Sequence, residues 1–141
     1  MATIKEERRN LFDVGDEYYL AHCIAADFCL GAGIAKQFKN KFGMKGKLKH
    51  RWETDGPVPA CLQVDHIFNL VTKRYSRGKP TYDSLRGALC LLRDAVVEQE
   101  VEFLAMPCIG CGLDRLQWSK VKQIIGEIFR SVDIEILVCF L

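Results

Sequence analysis

The stretch VEFLAMPCIGCGLDRLQW, residues 101 to 118, decides how this chain is built. Val101 to Met106 is apolar apart from one glutamate, the pattern of a strand covered on both faces. Pro107, two glycines and Asp114 then interrupt it. Beyond them Val121, Ile124, Ile125, Ile128 and Phe129 recur at helical spacing. The order is strand, glycine loop, helix. It occurs again upstream, where the apolar run YYLAHCI (18–24) leads into Gly31-Ala32-Gly33 and a helix marked by Ile34, Phe38 and Phe42.

Further outward, Ala60 to Val64 and Ile67 to Thr72 read as two strands of a hairpin around Asp65-His66. Pro80-Thr81 opens a third helix with the stripe Leu85, Ala88, Leu89, Leu92 and Val96, and Thr81 is its expected N-cap. Ile134 to Leu141 closes the chain as a buried strand. Residues 43–59, rich in Gly, Lys and Pro, are expected to be irregular. Strands alternating with helices predict an α/β sandwich with helices on both faces, in which ligands collect where strand ends meet loops.

Composition sets the outer limits. The 141 residues fit one domain, residues 1–141, and 49% hydrophobic with 27% charged residues is a globular balance. A net charge of +2 is too small for a dedicated nucleic-acid binder. No run reaches the roughly 20 apolar residues of a membrane span, and MATIKEERRN lacks the apolar segment of a signal peptide. The seven cysteines are odd in number and scattered, so they are expected to be free thiols in a reducing intracellular compartment.

Glycines at a strand-to-helix junction let backbone N–H groups approach an anion, with the helix dipole adding attraction. Two such loops, 27–38 and 109–114, suit a grip on a diphosphate, although neither matches GxGxxG or GxxxxGK[ST]. Cys108 and Cys111 form a CxxC pair, but no second CxxC or HxxxH supplies further ligands, so no metal is expected. Lys73 ends an apolar strand and is followed by Arg74, Arg77 and Lys79. That run reads either as a solvated turn or as like-charge crowding that lowers the pKa of Lys73 and frees its amine as a nucleophile. Asp114 is the matching acid or base, or else a cap for the helix that follows. The basic run from Lys36 to Arg51 reads as a solvated face, with a polyanion as the functional alternative.

Together these residues resemble a macrodomain, and within that family the terminal ADP-ribose protein glycohydrolases. The resemblance is carried by LAHCI (20–24), GAGIAKQFKNKFG (31–43), LVTKRYSRGKPTY (70–82), MPCIGCGLDRLQW (106–118) and the closing strand, and it runs from about Ile4 to the C-terminus. It implies a three-layer α/β/α sandwich with a central mixed sheet. It also implies ADP-ribose held by Gly31, Ala32, Gly33 and Ile34 from one side and by Pro107, Ile109, Gly110, Cys111, Gly112 and Leu113 from the other. The family's nucleophilic lysine falls on Lys73 and its catalytic aspartate on Asp114, while His22 is expected to be a packed core residue. Macrodomains carry Gly-Asp-Leu at the end of the first strand, whose aspartate accepts from the adenine amino group. Here the stretch is Arg9-Asn10-Leu11-Phe12, so Asn10 would accept without a full charge, with Leu11 beside it.

The activity implied is removal of mono-ADP-ribose from glutamate or aspartate side chains of modified proteins, with deacylation of O-acyl-ADP-ribose as a variant. No metal or other cofactor is expected. The alternatives are a non-catalytic ADP-ribose reader and a hydrolase acting on ADP-ribosylated nucleic acid. The expected partners are ADP-ribose and modified proteins, and the expected state is a monomer in the cytoplasm or nucleus, away from membranes.

Overall fold

The computed structural model describes residues 1–141. Its strands are β1 (Thr3–Arg8), β2 (Tyr19–Ala25), β3 (Ala60–Val64), β4 (Ile67–Lys73), β5 (Phe103–Met106) and β6 (Glu135–Phe140). Its helices are α1 (Gly33–Phe42), α2 (Met44–Arg51), α3 (Tyr82–Glu98) and α4 (Trp118–Ile128), and a short 3-10 turn spans Leu11–Asp13. The six strands form one mixed sheet in the order β1-β6-β5-β2-β4-β3. Every neighbouring pair is parallel except β3 with β4, the hairpin expected from the sequence.

Alternation along the strands builds two cores. Phe68 and Leu70 of β4, Leu104 and Met106 of β5, and Ile136 and Val138 of β6 pack with the apolar stripes of α3 and α4. The residues between them, Val71, Ala105, Leu137 and Cys139, face the other way, onto Phe38 of α1 and Met44 and Leu48 of α2. The period of two along a strand thus sorts side chains into two layers. Thr81 caps α3 as expected, in a reciprocal capping box with Ser84.

One expectation fails: residues 43–59 are not wholly irregular, because α2 occupies Met44–Arg51. Its signal is faint, since only Met44 and Leu48 are buried, one turn apart, among lysines and Gly46. Gly43 ends α1 in the left-handed conformation (φ 61°), its N–H bonding to the Lys39 carbonyl at 3.0 Å, and it also starts α2. A stripe two residues wide is too short for periodicity to register.

His22 is fully buried on β2, stacked on Phe38 with ring centroids 3.8 Å apart. Asn69 donates from Nδ2 to the Leu62 carbonyl at 3.0 Å, so its Oδ1 accepts from His22 Nε2 at 2.6 Å. That assigns the ring proton to Nε2 and leaves Nδ1 bare. Burial pushes the imidazole pKa down to about 4, against a smaller opposing effect of the Asn69 hydrogen bond. The unfolded chain therefore takes up a proton here at higher pH than the folded one. This contribution to stability is intact above the unfolded pKa and declines as pH falls from about 6.5 toward 4. Denaturant unfolding should show a loss of about 2 kcal/mol between pH 7 and pH 5. In His22→Gln that loss should shrink to the background slope.

Candidate active site

β2 and β5 are parallel neighbours, but the chain leaves them in opposite directions. After β2 it runs to α1 on one face, and after β5 to α4 on the other. A crevice must open between two loops that part in this way. It is a cleft of about 460 Å³, lined on one side by Leu30 to Ala35 and on the other by Pro107 to Gly110 and Gly112 to Asp114. Lys73 enters from β4.

A bulge places that lysine. Ile24 pairs with Val71, but the next residue, Ala25, pairs with Lys73, so Thr72 is an extra residue on β4. Bulges re-aim the side chain that follows them. Lys73 Nζ lies 2.7 Å from Asp114 Oδ1, and each side chain is 15% exposed. Asp114 does not cap α4: the cap position is Gln117, whose side chain makes no capping bond. The carboxylate instead hangs from a turn closed by Arg115 N–H to the Gly112 carbonyl (3.2 Å) and Leu116 N–H to the Gly110 carbonyl (2.7 Å).

Of the two readings of the cations after Lys73, the solvated turn fits Arg74 and Arg77, which are exposed, while Lys79 lines the cleft with Lys73. Arg74 turns away to the carbonyls of Asp55 and Gly56, both at 3.3 Å. Lys79 reaches across to the Leu113 carbonyl at 2.6 Å. What faces Lys73 is a carboxylate, so the proton that must leave the amine before it can attack has an acceptor within hydrogen-bond distance.

The structure brings together most of the residues singled out above. Gly31, Ala32, Gly33, Ile34, Pro107, Ile109, Gly110, Gly112 and Leu113 all line the cleft with Lys73 and Asp114. Gly33 (φ 59°) and Gly110 (φ 75°) adopt the left-handed backbone that favours glycine, and a Cβ on Gly110 would meet Leu116 at 3.0 Å. At Gly112 a Cβ would meet nothing within 4 Å. Cys111 stands behind the wall, its thiol directed at the Ile109 carbonyl, 3.2 Å away. Burial pushes that thiol up to about 11, with the neighbouring Cys108 and Asp114 adding to the effect. Asn10 and Leu11 are not among the lining residues. Asn10 Oδ1 accepts from Phe12 N–H at 2.9 Å, capping the 3-10 turn, and Leu11 is buried in the α1–α2 core. No three His, Cys, Asp or Glu side chains are grouped to hold a metal ion.

Known proteins share the sequence and the fold of this chain. The chain is 46% identical over 121 residues to the ADP-ribose glycohydrolase OARD1 of Bos taurus, which spans 84% of this chain and 79% of that protein. The human protein of the same name is 45% identical over the same length. Among solved structures, the macrodomain of Thermus aquaticus DarG superposes with a TM-score of 0.85 at 25% identity, covering 100% of both chains. The chain belongs to the macrodomain family. No protein-family model matches it.

Sequence reading missed one component of this macrodomain. Asp27 accepts from Ser76 N–H and Ser76 Oγ–H, both at 2.8 Å, and from Cys29 N–H at 3.0 Å. It ties the first glycine loop to the segment that follows Lys73. Burial alone would push its carboxyl up, but these three hydrogen bonds outweigh it and hold the pKa below the usual aspartate value. The pairing spans 49 residues and leaves no local pattern. Asp27→Ala should loosen both loops. Since hydrogen bonds to a charged group contribute about 1.5–3 kcal/mol, the Cys29 and Ser76 amides should exchange with deuterium roughly 10- to 100-fold faster, with strand amides unchanged.

Proposed function

We propose that the cleft holds ADP-ribose and that Lys73 and Asp114 release it from an acidic side chain of a modified protein. The observation that carries this reading is the 2.7 Å contact between Lys73 and Asp114, buried where the two glycine loops converge. A module that only held the ligand would need the loops and not this pair. The likeness to proteins named ADP-ribose glycohydrolase supports the same conclusion.

In this mechanism the diphosphate lies against the N–H groups at the start of α1 and the turns of the second loop. Asp114 takes a proton from Lys73, and the freed amine attacks the anomeric carbon of the distal ribose. The bond from that carbon to the carboxyl oxygen breaks, and the glutamate or aspartate leaves as a carboxylate. The ribose ring then opens to an imine on Lys73. Water adds to the imine carbon, Asp114 carries the proton, and the lysine departs from free ADP-ribose. O-acyl-ADP-ribose, an ester of the same ribose, is a second proposed substrate. Asn10 is the proposed adenine contact, since its carbonyl oxygen keeps a lone pair beyond the one given to Phe12. The seven free cysteines suit a reducing compartment, and no helix is long and apolar enough to cross a membrane.

The decisive measurement is release of ADP-ribose from a glutamate-linked mono-ADP-ribosylated protein. Lys73→Ala should lose turnover while keeping most of its ADP-ribose affinity. Asp114→Ala should slow turnover by ~10²–10⁴-fold, the usual worth of general acid–base help. Borohydride should trap a covalent adduct on wild type, mapping to Lys73 by mass spectrometry. Equal turnover by wild type and Lys73→Ala would remove the covalent mechanism, and tight binding with no turnover in any protein would leave a reader.

Gly112→Glu tests the second loop. Its missing side chain opens onto space at the cleft wall. A carboxylate there should repel the diphosphate and abolish binding in calorimetry, with the melting profile unchanged. Normal binding by this variant would move the phosphates elsewhere.

A further inference from the structure

The segment between β4 and α3 closes the cleft on a third side. Ser76 is fixed to Asp27 of the first loop by two hydrogen bonds of 2.8 Å, and Lys79 donates to the Leu113 carbonyl of the second loop at 2.6 Å. Ser76 and Lys79 both line the cleft, whereas Tyr75 and Arg77, on either side of Ser76, do not. Those two residues are exposed, as is Arg115, directly after Asp114. Residues 73–79 carry four cations and no carboxylate. Lys73 is paired with Asp114, and Arg74 is turned to the carbonyls of Asp55 and Gly56. Arg77 and Arg115 form no ion pair and no side-chain hydrogen bond, whereas Lys5, Arg9, Arg86, Arg93 and Lys122 elsewhere are all paired. The carboxylates of the flanking segments do not answer them. Asp27 accepts three hydrogen bonds, Asp114 holds Lys73, and Asp83 sits in the first turn of α3, where the helix dipole favours it.

The same collar bears exposed apolar surface. Tyr75 is 59% exposed and Leu113 64%, while the other exposed large apolar residues lie at the chain ends or on α3. Tyrosine and arginine are the residue types that anchor polypeptide interfaces, and a guanidinium meets a carboxylate with two parallel hydrogen bonds. The collar also adjoins the reacting groups. Lys73 leads through Arg74 into Tyr75 and Arg77, and Asp114 leads into Arg115. A polypeptide whose carboxyl group reaches Lys73 therefore crosses this surface.

We propose that this collar docks the polypeptide around the modified side chain and selects acidic, partly apolar sequence. Neighbouring glutamates or aspartates meet Arg77 and Arg115, and an apolar residue packs against Tyr75. The inference rests on the reading of the cleft as a site for ADP-ribose carried by an acidic side chain, and it names the sequence around that side chain. Cations at the rim of a site steer encounter and discriminate between partners more than they raise affinity. The lysines of α1 and α2 are a separate basic surface, since none of them lines the cleft.

Two peptides test it, each mono-ADP-ribosylated on one central glutamate, with flanking glutamates in the first and glutamines in their place in the second. Wild type should process the acidic peptide with a kcat/KM roughly tenfold higher at low salt, and the gap should narrow as salt rises. The double variant Arg77→Gln, Arg115→Gln should turn over both peptides alike, at the wild-type rate for the neutral one. Tyr75→Ser should slow both peptides equally and leave the salt dependence unchanged. Fluorescence anisotropy of the unmodified acidic peptide gives a readout that needs no turnover. The double variant should weaken that binding by roughly five- to tenfold, the worth of two exposed ion pairs. A control with Lys45, Lys47 and Lys49 changed to Gln should bind as wild type does, and ADP-ribose affinity by calorimetry should be the same in every protein. The proposal is overturned if wild type does not bind the acidic peptide, if the double variant binds it equally well, or if the lysine control is the one that loses it. Turnover of both peptides at one rate by wild type would overturn it while leaving the reaction at Lys73 intact. Peptide binding as described with no turnover of either peptide would do the reverse. Preference for an oligonucleotide of equal charge, lost in the double variant, would also overturn it.

Discussion

The constraint on which this structure depends is the parting of the chain between β2 and β5. Two parallel neighbours share hydrogen bonds at Tyr19–Leu104 and Leu20–Ala105, and then send their next helices to opposite faces of the sheet. Backbone cannot fill the gap left between the two exits. The loops that border it can turn N–H groups toward a ligand, and β4 with the segment after it brings two long side chains, Lys73 and Lys79, to the cleft.

Holding those loops in place carries a conformational cost. Phe28, Leu30 and Arg115 are non-glycine residues at positive φ (53°, 47° and 62°), each worth roughly 1–3 kcal/mol of strain. Burial of Phe28 and Leu30 in the α1–α2 core offsets part of it, and Asp27 fixes the same segment to the backbone after Lys73. Phe28 and Leu30 sit where the first loop turns from strand to helix, anchored from below by apolar packing and from the side by a carboxylate, while Arg115 lies in the turn after Asp114. Asp27 holds the backbone three residues beyond Lys73, whose 2.7 Å contact with Asp114 joins β4 to the second loop.

Elements with long apolar stripes were legible from residue order. The five-residue stripe of α3, its Thr81 cap and the β3–β4 hairpin all stand where periodicity and turn chemistry put them. Helix α2 was not legible, because two buried residues in eight give no stripe. The motifs PCIGCGLD and LGAGIA pointed to the cleft, and TK pointed to its lysine. The cations after Lys73 left two local readings open, and residue order could not choose between them for a physical reason. Neighbours in sequence do not share surroundings once the chain bends, and Arg74 and Lys79 find backbone carbonyls that no sequence window contains.

The sequence by itself determined the alternation of strands and helices, the two glycine loops and the family likeness, because each is written in residues close together along the chain. Tertiary structure alone decided which groups meet. The bulge at Thr72 that turns Lys73 inward arises from its pairing with β2, and the Asp27–Ser76 tie spans 49 residues. The unpaired state of Arg77 and Arg115 likewise depends on where every carboxylate in the fold ends up. Contacts of that kind exist only after the sheet has closed, since their energies are set by distance in space and not by separation along the chain.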